Sequence, residues 1–369
     1  MKNTKLIVKT KSKTYPIYFG NNILSKTGAL IKKNLPRVKK ICILSDGKLP
    51  GLILRKLIKS LKRYELIIYK LSANEKNKNF AVANKIIEKL LNKNFNRSDC
   101  VIALGGGIVG DLSAFISNLT KRGTKFINIP TTLLAQVDAS IGGKTGVNTS
   151  QGKNLIGTFY QPDFILSDVS VLKSLPHREL ISGYGEILKH SIISDKKFFL
   201  WLCKNGKQIV HKKKDIFLKE AIVKSCKIKC EVVGRDEKEK NLRMILNFGH
   251  TFAHGFEAAK NFSKKLNHGE AVLLGMILAI ELSNNKKILS YKDLLLIKKH
   301  YLDLRLPMFI SKIFKKRDVN KIIYFMKKDK KNISENINLI LLNKIGKTTK
   351  PGEISLKSIE IKKFLKSCF

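Results

Sequence analysis

The chain has 369 residues and a formal net charge of +44, with 72 lysines and arginines against 28 acidic residues. That length allows two domains with separate cores, and no run of 18 apolar residues is present to cross a membrane. The charge invites a nucleic-acid partner, but only ten basic residues are arginine and the lysines are scattered among Ile and Asn with no basic tail, which argues against a specific nucleic-acid reader and for loose, salt-sensitive polyanion binding.

Taken in order, 5–9 and 15–19 read as two short strands across a polar turn, and 23–34 as a helix. A strand at 41–44 ends at Ser45-Asp46-Gly47, and 52–61, 65–69 and 79–91 read as helix, strand and helix. Apolar runs at 101–104, 126–129 and 164–168 complete an alternation of strands and helices, the pattern of a parallel sheet covered on both faces. Ligands of such sheets sit beyond the carboxyl ends of the strands, where Asp46, Gly105 and Thr131 fall. After Leu175-Pro176 the period changes: 178–194, 208–232, 249–261 and 269–285 read as helices, and 337–342 as the one late strand signal, a small hairpin at most. The expected architecture is a Rossmann-like α/β domain over 1–176 and a mainly α-helical domain over 177–369, packed directly with a cleft between them. The polar start, MKNTKLIVKT, does not fit a signal peptide. Six scattered cysteines, among which Cys226 and Cys230 share a helix face, show no paired metal spacing; a reduced, cytoplasmic setting is expected.

The stretch 105–162 carries the densest set of small, polar and basic residues. Gly105, Gly106 and Gly107, then Gly110-Asp111, put a glycine turn between a buried strand and a helix start. Glycine lets a ligand approach the backbone, and the free N–H groups of a helix start favour an anion. Gly105, Gly107 and Gly110 match G-x-G-x-x-G, yet the apolar 126–129 run stands where a ribose-binding acid would be, so the glycines alone fit an ordinary tight turn equally well. Thr131-Thr132, Gly142-Gly143-Lys144-Thr145 and Gly152-Lys153-Asn154 tip the balance. Two lysines in glycine turns beside a threonine pair suit a polyanion better than a solvated face.

Four of the seven histidines stand in a suggestive context. His250 and His254, at i and i+4, share one helix face; His268 opens HGEAV; Glu186 precedes His190 by one turn. Imidazoles and a carboxylate suit zinc or a similar divalent ion, and a catalytic site wants three protein ligands and one open position. Spacing alone selects His250 and His254 as a ligand pair, or else as two polar core histidines.

The blocks GGG-x-x-GD, KRG, PTTLLAQVD-S-GGKT-VN and GKN-IG-FYQP stand here in this order, followed by GYGEILKH, GHTFAH and HGEAV. Together they resemble the 3-dehydroquinate synthase family, over nearly the whole chain from the 41–46 strand to Asp329-Lys330-Lys331 and Ile345-Gly346. The resemblance implies that Glu186, His250 and His268 hold one divalent metal, zinc or cobalt, and that His254 is an acid/base or phosphate-side residue. It implies NAD, held by Asp46, the loop Ala73, Asn74, Glu75, Lys76, Asn77 and Lys78, the turn Gly107, Ile108, Val109, Gly110 and Asp111, then Thr131, Thr132, Lys144, Lys153, Val171, Leu172, Lys173 and Ser174. Implied substrate and phosphate contacts are Asp138, Lys144, Asn154, Lys189, Lys229, Arg243, Asn247, His254 and Lys330, with Arg122 reaching in from the partner subunit of a homodimer. An arginine suits a carboxylate because its planar fork matches two oxygens. The family's loop carries Asp-Gly before the glutamate, where this chain has Ala73-Asn74.

The implied reaction converts 3-deoxy-D-arabino-heptulosonate 7-phosphate (DAHP) to 3-dehydroquinate and phosphate in the shikimate route. The C5 hydroxyl is oxidised by NAD, phosphate leaves by elimination, the hydride returns, and the opened ring closes by an intramolecular aldol addition, with no net redox change. Three rivals are weaker. Another sugar-phosphate cyclase would not need Lys229 and Arg243 for a carboxylate. A metal-dependent alcohol dehydrogenase of the same fold would not need Lys144 and Lys153, and a polyanion-binding protein leaves the metal-type residues unexplained.

Overall fold

The computed structural model describes residues 3–328 and 336–369. The chain forms two compact units. The first runs to Pro176 and takes in Asp215–Lys238; the second is His177–Lys214 with Glu239 onward.

The first unit is built on a seven-stranded sheet with the order β1-β2-β9-β6-β5-β3-β4. Its strands are β1 (Thr4–Lys9), β2 (Thr14–Gly20), β3 (Lys40–Asp46), β4 (Glu65–Leu71), β5 (Cys100–Gly105), β6 (Lys125–Pro130) and β9 (Phe164–Asp168). β1 and β2 form an antiparallel hairpin, and all other neighbours are parallel. Every residue of β5 and β9 is buried, which is why they read as unbroken apolar runs. The helices α1 (Thr27–Asn34), α2 (Gly51–Ser60), α3 (Phe80–Asn92) and α4 (Gly107–Leu119) alternate with the strands as expected. The chain passes from β3 outward to β4, then returns to the other side of β3 as β5. That reversal opens a crevice at the carboxyl ends of β3 and β5, where Asp46 and Gly105 stand. A small antiparallel hairpin of β7 (Val147–Thr149) and β8 (Gly152–Ile156) has no counterpart in the sequence reading.

The second unit is helical: α5 (His177–Ser194), α6 (Lys196–Val210), α8 (His250–Ala259), α9 (His268–Asn285), α10 (Tyr291–Asp303), α11 (Val319–Lys327) and α12 (Ser358–Ser367). α9 is buried almost all round and packs against α5, α8 and α10.

Three expectations need correction. The helix read at 208–232 is two: α6 ends at Val210, and α7 (Asp215–Arg235) starts after the polar segment His211–Lys214. α7 also leaves the expected second domain, because it packs on the 135–139 turn and on β1 and β2. The late strand at 337–342 is divided between β10 (Asn336–Leu339), paired with β13 (Ile354–Lys357), and β11 (Leu342–Lys344), paired with β12 (Lys347–Thr348). All six cysteines are free thiols, and no described helix is long and apolar enough to cross a membrane.

Inside the second unit, His300 Nε2 meets the Tyr184 hydroxyl at 2.8 Å, and both side chains are buried. Burial pushes the His300 pKa down to about 4, with Asp303 opposing only partly. The unfolded chain therefore takes up a proton near pH 6.5 that the folded chain refuses until about pH 4. Stability from this site is fully present above about pH 6.5 and is lost as pH falls toward 4, by up to about 3 kcal/mol. Thermal melts from pH 7 to 4.5 should show a smaller drop for His300→Gln, which keeps an acceptor but does not titrate, than for the wild type.

Candidate active site

In the first unit the glycine turn behaves as its sequence suggests. Gly106 caps α4, and no acidic residue lies in the first turn of that helix. A Cβ on Gly105 would stand 2.6 Å from Val109, so the strand-to-helix turn closes only without one. Ile108 is half-buried, whereas Val109 is sealed in the core, and a ligand would meet only its backbone. Asp111, next along α4, pairs with the buried Lys78 at 2.5 Å, and Lys78 also donates to Asn154 at 2.6 Å. Burial raises the Asp111 pKa, and the Lys78 ammonium opposes the rise.

The loop after β4 keeps its turn despite Ala73-Asn74. The Asn74 side-chain oxygen accepts the Asn77 N–H at 3.0 Å, while Lys76 points to solvent. Glu75 accepts from Asn148 at 2.7 Å and pairs with Lys153 at 3.2 Å. Burial acts to raise its pKa, but the Asn148 hydrogen bond and the Lys153 and Lys78 charges outweigh it and hold Glu75 low. Beyond β6, Thr131 N–H donates to the Gly105 carbonyl at 2.9 Å, and the Thr132 hydroxyl accepts from Ala135 N–H at 3.2 Å. Asp46 accepts from the Lys48 N–H at 3.0 Å. Val171 and Leu172 are core residues, Ser174 closes that turn on the Val171 carbonyl, and Lys173 pairs with Asp215 at 3.3 Å.

Asp138 lies in a single π-turn (Ala135–Ala139), and Lys229 of α7 reaches both its carboxylate and its carbonyl at 2.5 Å. Lys144 is exposed and bridges to Phe159, at the base of the β7–β8 hairpin. Gly143 takes φ +67°, and its Cα lies against the Gln161 amide. Arg122 is exposed with φ 60°.

In the second unit three side chains converge from three helices. Glu186 of α5, His250 of α8 and His268 of α9 place their ligand atoms within 4.8 Å of one another. His250 Nδ1 donates to the Phe248 carbonyl at 3.3 Å, and Nε2 faces Glu186 Oε1 at 3.8 Å. His268 Nδ1 donates to Glu257 at 3.1 Å, which leaves Nε2 to bind. Burial alone would lower the His268 pKa, but the Glu257 carboxylate outweighs it and pushes it up to about 9. Glu186 is fully buried and Lys189, one turn on, is its ion-pair partner, yet neither Glu186 oxygen accepts a well-formed hydrogen bond. A buried carboxylate in that state, beside two imidazoles, suits a cation. His254 is outside this trio, with its ring edge-on to His250 at 5.6 Å between centroids. Arg243 is buried, Asn247 donates to Glu239 at 2.8 Å, and Lys330 lies outside the described residues.

The family model for the N-terminal part of 3-dehydroquinate synthase matches residues 68–182, and the one for the C-terminal part matches 183–332. A 3-dehydroquinate synthase of Pelagibacter ubique is 51% identical over 98% of both chains. The chain belongs to the 3-dehydroquinate synthase family. Among solved structures, 2-deoxy-scyllo-inosose synthase complexed with carbaglucose-6-phosphate, NAD+ and Co2+ shares the fold of this synthase-family chain. It is 24% identical with a TM-score of 0.85, covering 99% of this chain and 100% of that one. The 2-epi-5-epi-valiolone synthase of Streptomyces hygroscopicus subsp. jinggangensis, with NAD+ and Zn2+ bound, is 24% identical with a TM-score of 0.84, over 98% and 99%.

Sequence reasoning on this synthase-family chain passed over Glu257, although it follows His254 by three positions on the same helix. It also passed over the glycines beside the trio. Gly185, Gly249 and Gly269 each adjoin one of its members. A Cβ on Gly269 would stand 2.3 Å from the Ser182 Cα, and one on Gly275 2.1 Å from the Gly249 carbonyl oxygen. Gly269→Ala should therefore force α9 away from α5, at a cost in the overpacking range of about 1–3 kcal/mol, and weaken divalent-metal binding. Ser182→Ala removes one hydrogen bond to the Gly269 N–H and should cost only about 1 kcal/mol. Thermal melts and competition with a chelator would compare the two.

Proposed function

We propose that this chain is the enzyme its family name describes, converting DAHP to 3-dehydroquinate and phosphate with NAD and one divalent metal. The observation that carries the reading is the Glu186–His250–His268 group in a chain 51% identical, end to end, to a named 3-dehydroquinate synthase. When bound, NAD supplies a reversible hydride acceptor and the ion a Lewis acid for a substrate hydroxyl. The residues of the chain hold and orient. The N–H groups at the start of α4 receive the dinucleotide phosphates, and Lys78 balances the charge of Asp111 close by. Lys144, Lys153 and Asn154 hold anionic oxygens from one hairpin, and Lys229, seated on Asp138, presents charge from α7. Arg243 takes the substrate carboxylate with its planar fork, Asn247 takes a hydroxyl, and Lys189 steadies the charge of Glu186. His254 moves a proton on the phosphate side. The proposal includes a homodimer in which Arg122 enters the partner's site, and a cytoplasmic setting.

Purified protein given DAHP, NAD and zinc or cobalt should release phosphate in step with 3-dehydroquinate, with NADH staying far below product. NADH accumulating mole for mole with substrate would move the chain to the alcohol-dehydrogenase reading. Replacing Glu186, His250 or His268 by Ala should abolish tight metal binding, whereas His254→Ala should keep the metal and lose turnover.

The lysines divide by context. Losing one partner of a desolvated charge pair costs on the order of 2–5 kcal/mol, so Lys189→Ala, which leaves the buried Glu186 without its cation, should slow turnover by roughly a hundredfold or more, and Lys144→Ala, at an exposed position, by a smaller factor. Lys212, Lys213 and Lys214 lie in the polar segment between α6 and α7. Changing all three to Gln should leave turnover near wild type and only weaken retention on a polyanion column.

A further inference from the structure

Arg178 and Glu270 are absent from the metal group and from every substrate contact above, yet they tie together two of the helices that carry it. Arg178 is the second residue of α5 and Glu270 the third of α9. Arg178 Nε donates to Glu270 Oε1 at 2.6 Å and Nη2 to Oε2 at 2.6 Å, a two-bond fork. The same guanidinium donates to the carbonyls of Lys264 at 2.7 Å and Lys265 at 3.1 Å, in the segment leading to α9. Glu270 Oε2 also accepts the Asn267 N–H at 3.0 Å, while Asn267 Oδ1 accepts the Glu270 N–H at 2.9 Å, a complete capping box. His268 sits inside that box as the first residue of α9, the part of a helix most prone to fray. Glu186 stands eight residues after Arg178 on α5, about 12 Å along its axis. One carboxylate therefore fixes the start of α9 and clamps it to α5.

We propose that Arg178 is a positioning residue for the metal group, acting through Glu270 to hold His268 at its distance from Glu186. This rests on the reading of Glu186, His250 and His268 as metal ligands. Arg178 is nearly half exposed and Glu270 mostly covered, so the pair contributes modestly to overall stability while it sets local geometry. A chelating group that must first be ordered binds its ion less tightly, and loss of supporting contacts around metal ligands typically weakens affinity about 10–100-fold.

The test measures zinc affinity by chelator competition and the melting temperature of the metal-free protein, in the full chain. Arg178→Ala should weaken zinc binding at least tenfold and shift the metal-free melt by only a few degrees. Arg178→Lys keeps the charge but not the fork and should recover only part of the affinity; Glu270→Gln keeps the capping box and should resemble Arg178→Ala. Lys286→Ala, which breaks the exposed pair with Glu360 in the same unit, should leave zinc affinity unchanged. Zinc affinity within twofold of wild type in Arg178→Ala overturns the proposal, as does a loss matched by an equal loss in Lys286→Ala. If Glu186→Ala also binds zinc normally, it is the ligand assignment that fails, and the clamp with it.

Discussion

The second unit depends on how closely three helices can approach. Glu and His reach only a few ångströms from the backbone, so their ligand atoms meet within 4.8 Å only when the three helices that bear them are held closely and in fixed register. Helices usually pack 8–10 Å apart, at a distance set by the side chains between them. Here the side chains are removed at the points that matter. Gly269 lies against Ser182, Gly275 against the Gly249 carbonyl, and Gly185 within 3.3 Å of the Gly269 carbonyl by the same Cβ measure. Gly249 also takes φ +76°, a conformation that costs other residues strain, and so turns the chain into α8 one residue before His250. Each trio member is thus placed by the glycine beside it, and Glu257 then fixes which imidazole nitrogen of His268 is available.

Charge is organised in the opposite sense to the composition. The chain carries a large lysine excess, but the buried lysines of the two sites are matched one by one: Lys78 with Asp111, Lys189 with Glu186, Lys229 with Asp138. A buried ammonium without an acid would lose its charge or unfold its surroundings, so these pairings are obligatory. Surface lysines such as Lys315 and Lys316 carry no such constraint, which leaves their number free to vary without disturbing the chemistry.

Much of the first unit was legible because a parallel sheet buries both faces of its strands. β3, β5, β6 and β9 are short apolar runs that end in Asp46, Gly105, Pro130 and Asp168, and runs of that kind are visible without any knowledge of neighbours. α10 was passed over although Leu294, Ile297 and Tyr301 line one buried face behind the cap Ser290. The gap at His211–Lys214 was invisible for another reason: it contains neither glycine nor proline, and a polar turn there reads like the exposed face of a continuing helix.

By itself the sequence determined the strands and helices of the main sheet, the glycine turn after β5, the family, and the residue types able to hold an ion and a phosphate. These are properties of local pattern, because periodicity, turn chemistry and motif order are written along the chain. Only the tertiary structure decided that α7 packs with the sheet and that Lys229 stands on Asp138 across 91 positions; the grouping of His250 with Glu186 and His268, which helix spacing alone misassigned to His254 and the family motifs implied, is brought about by the packing of three helices. The reason is physical. A helix face declares that it must be covered but not by what, and an imidazole binds whichever partners the backbones bring within reach.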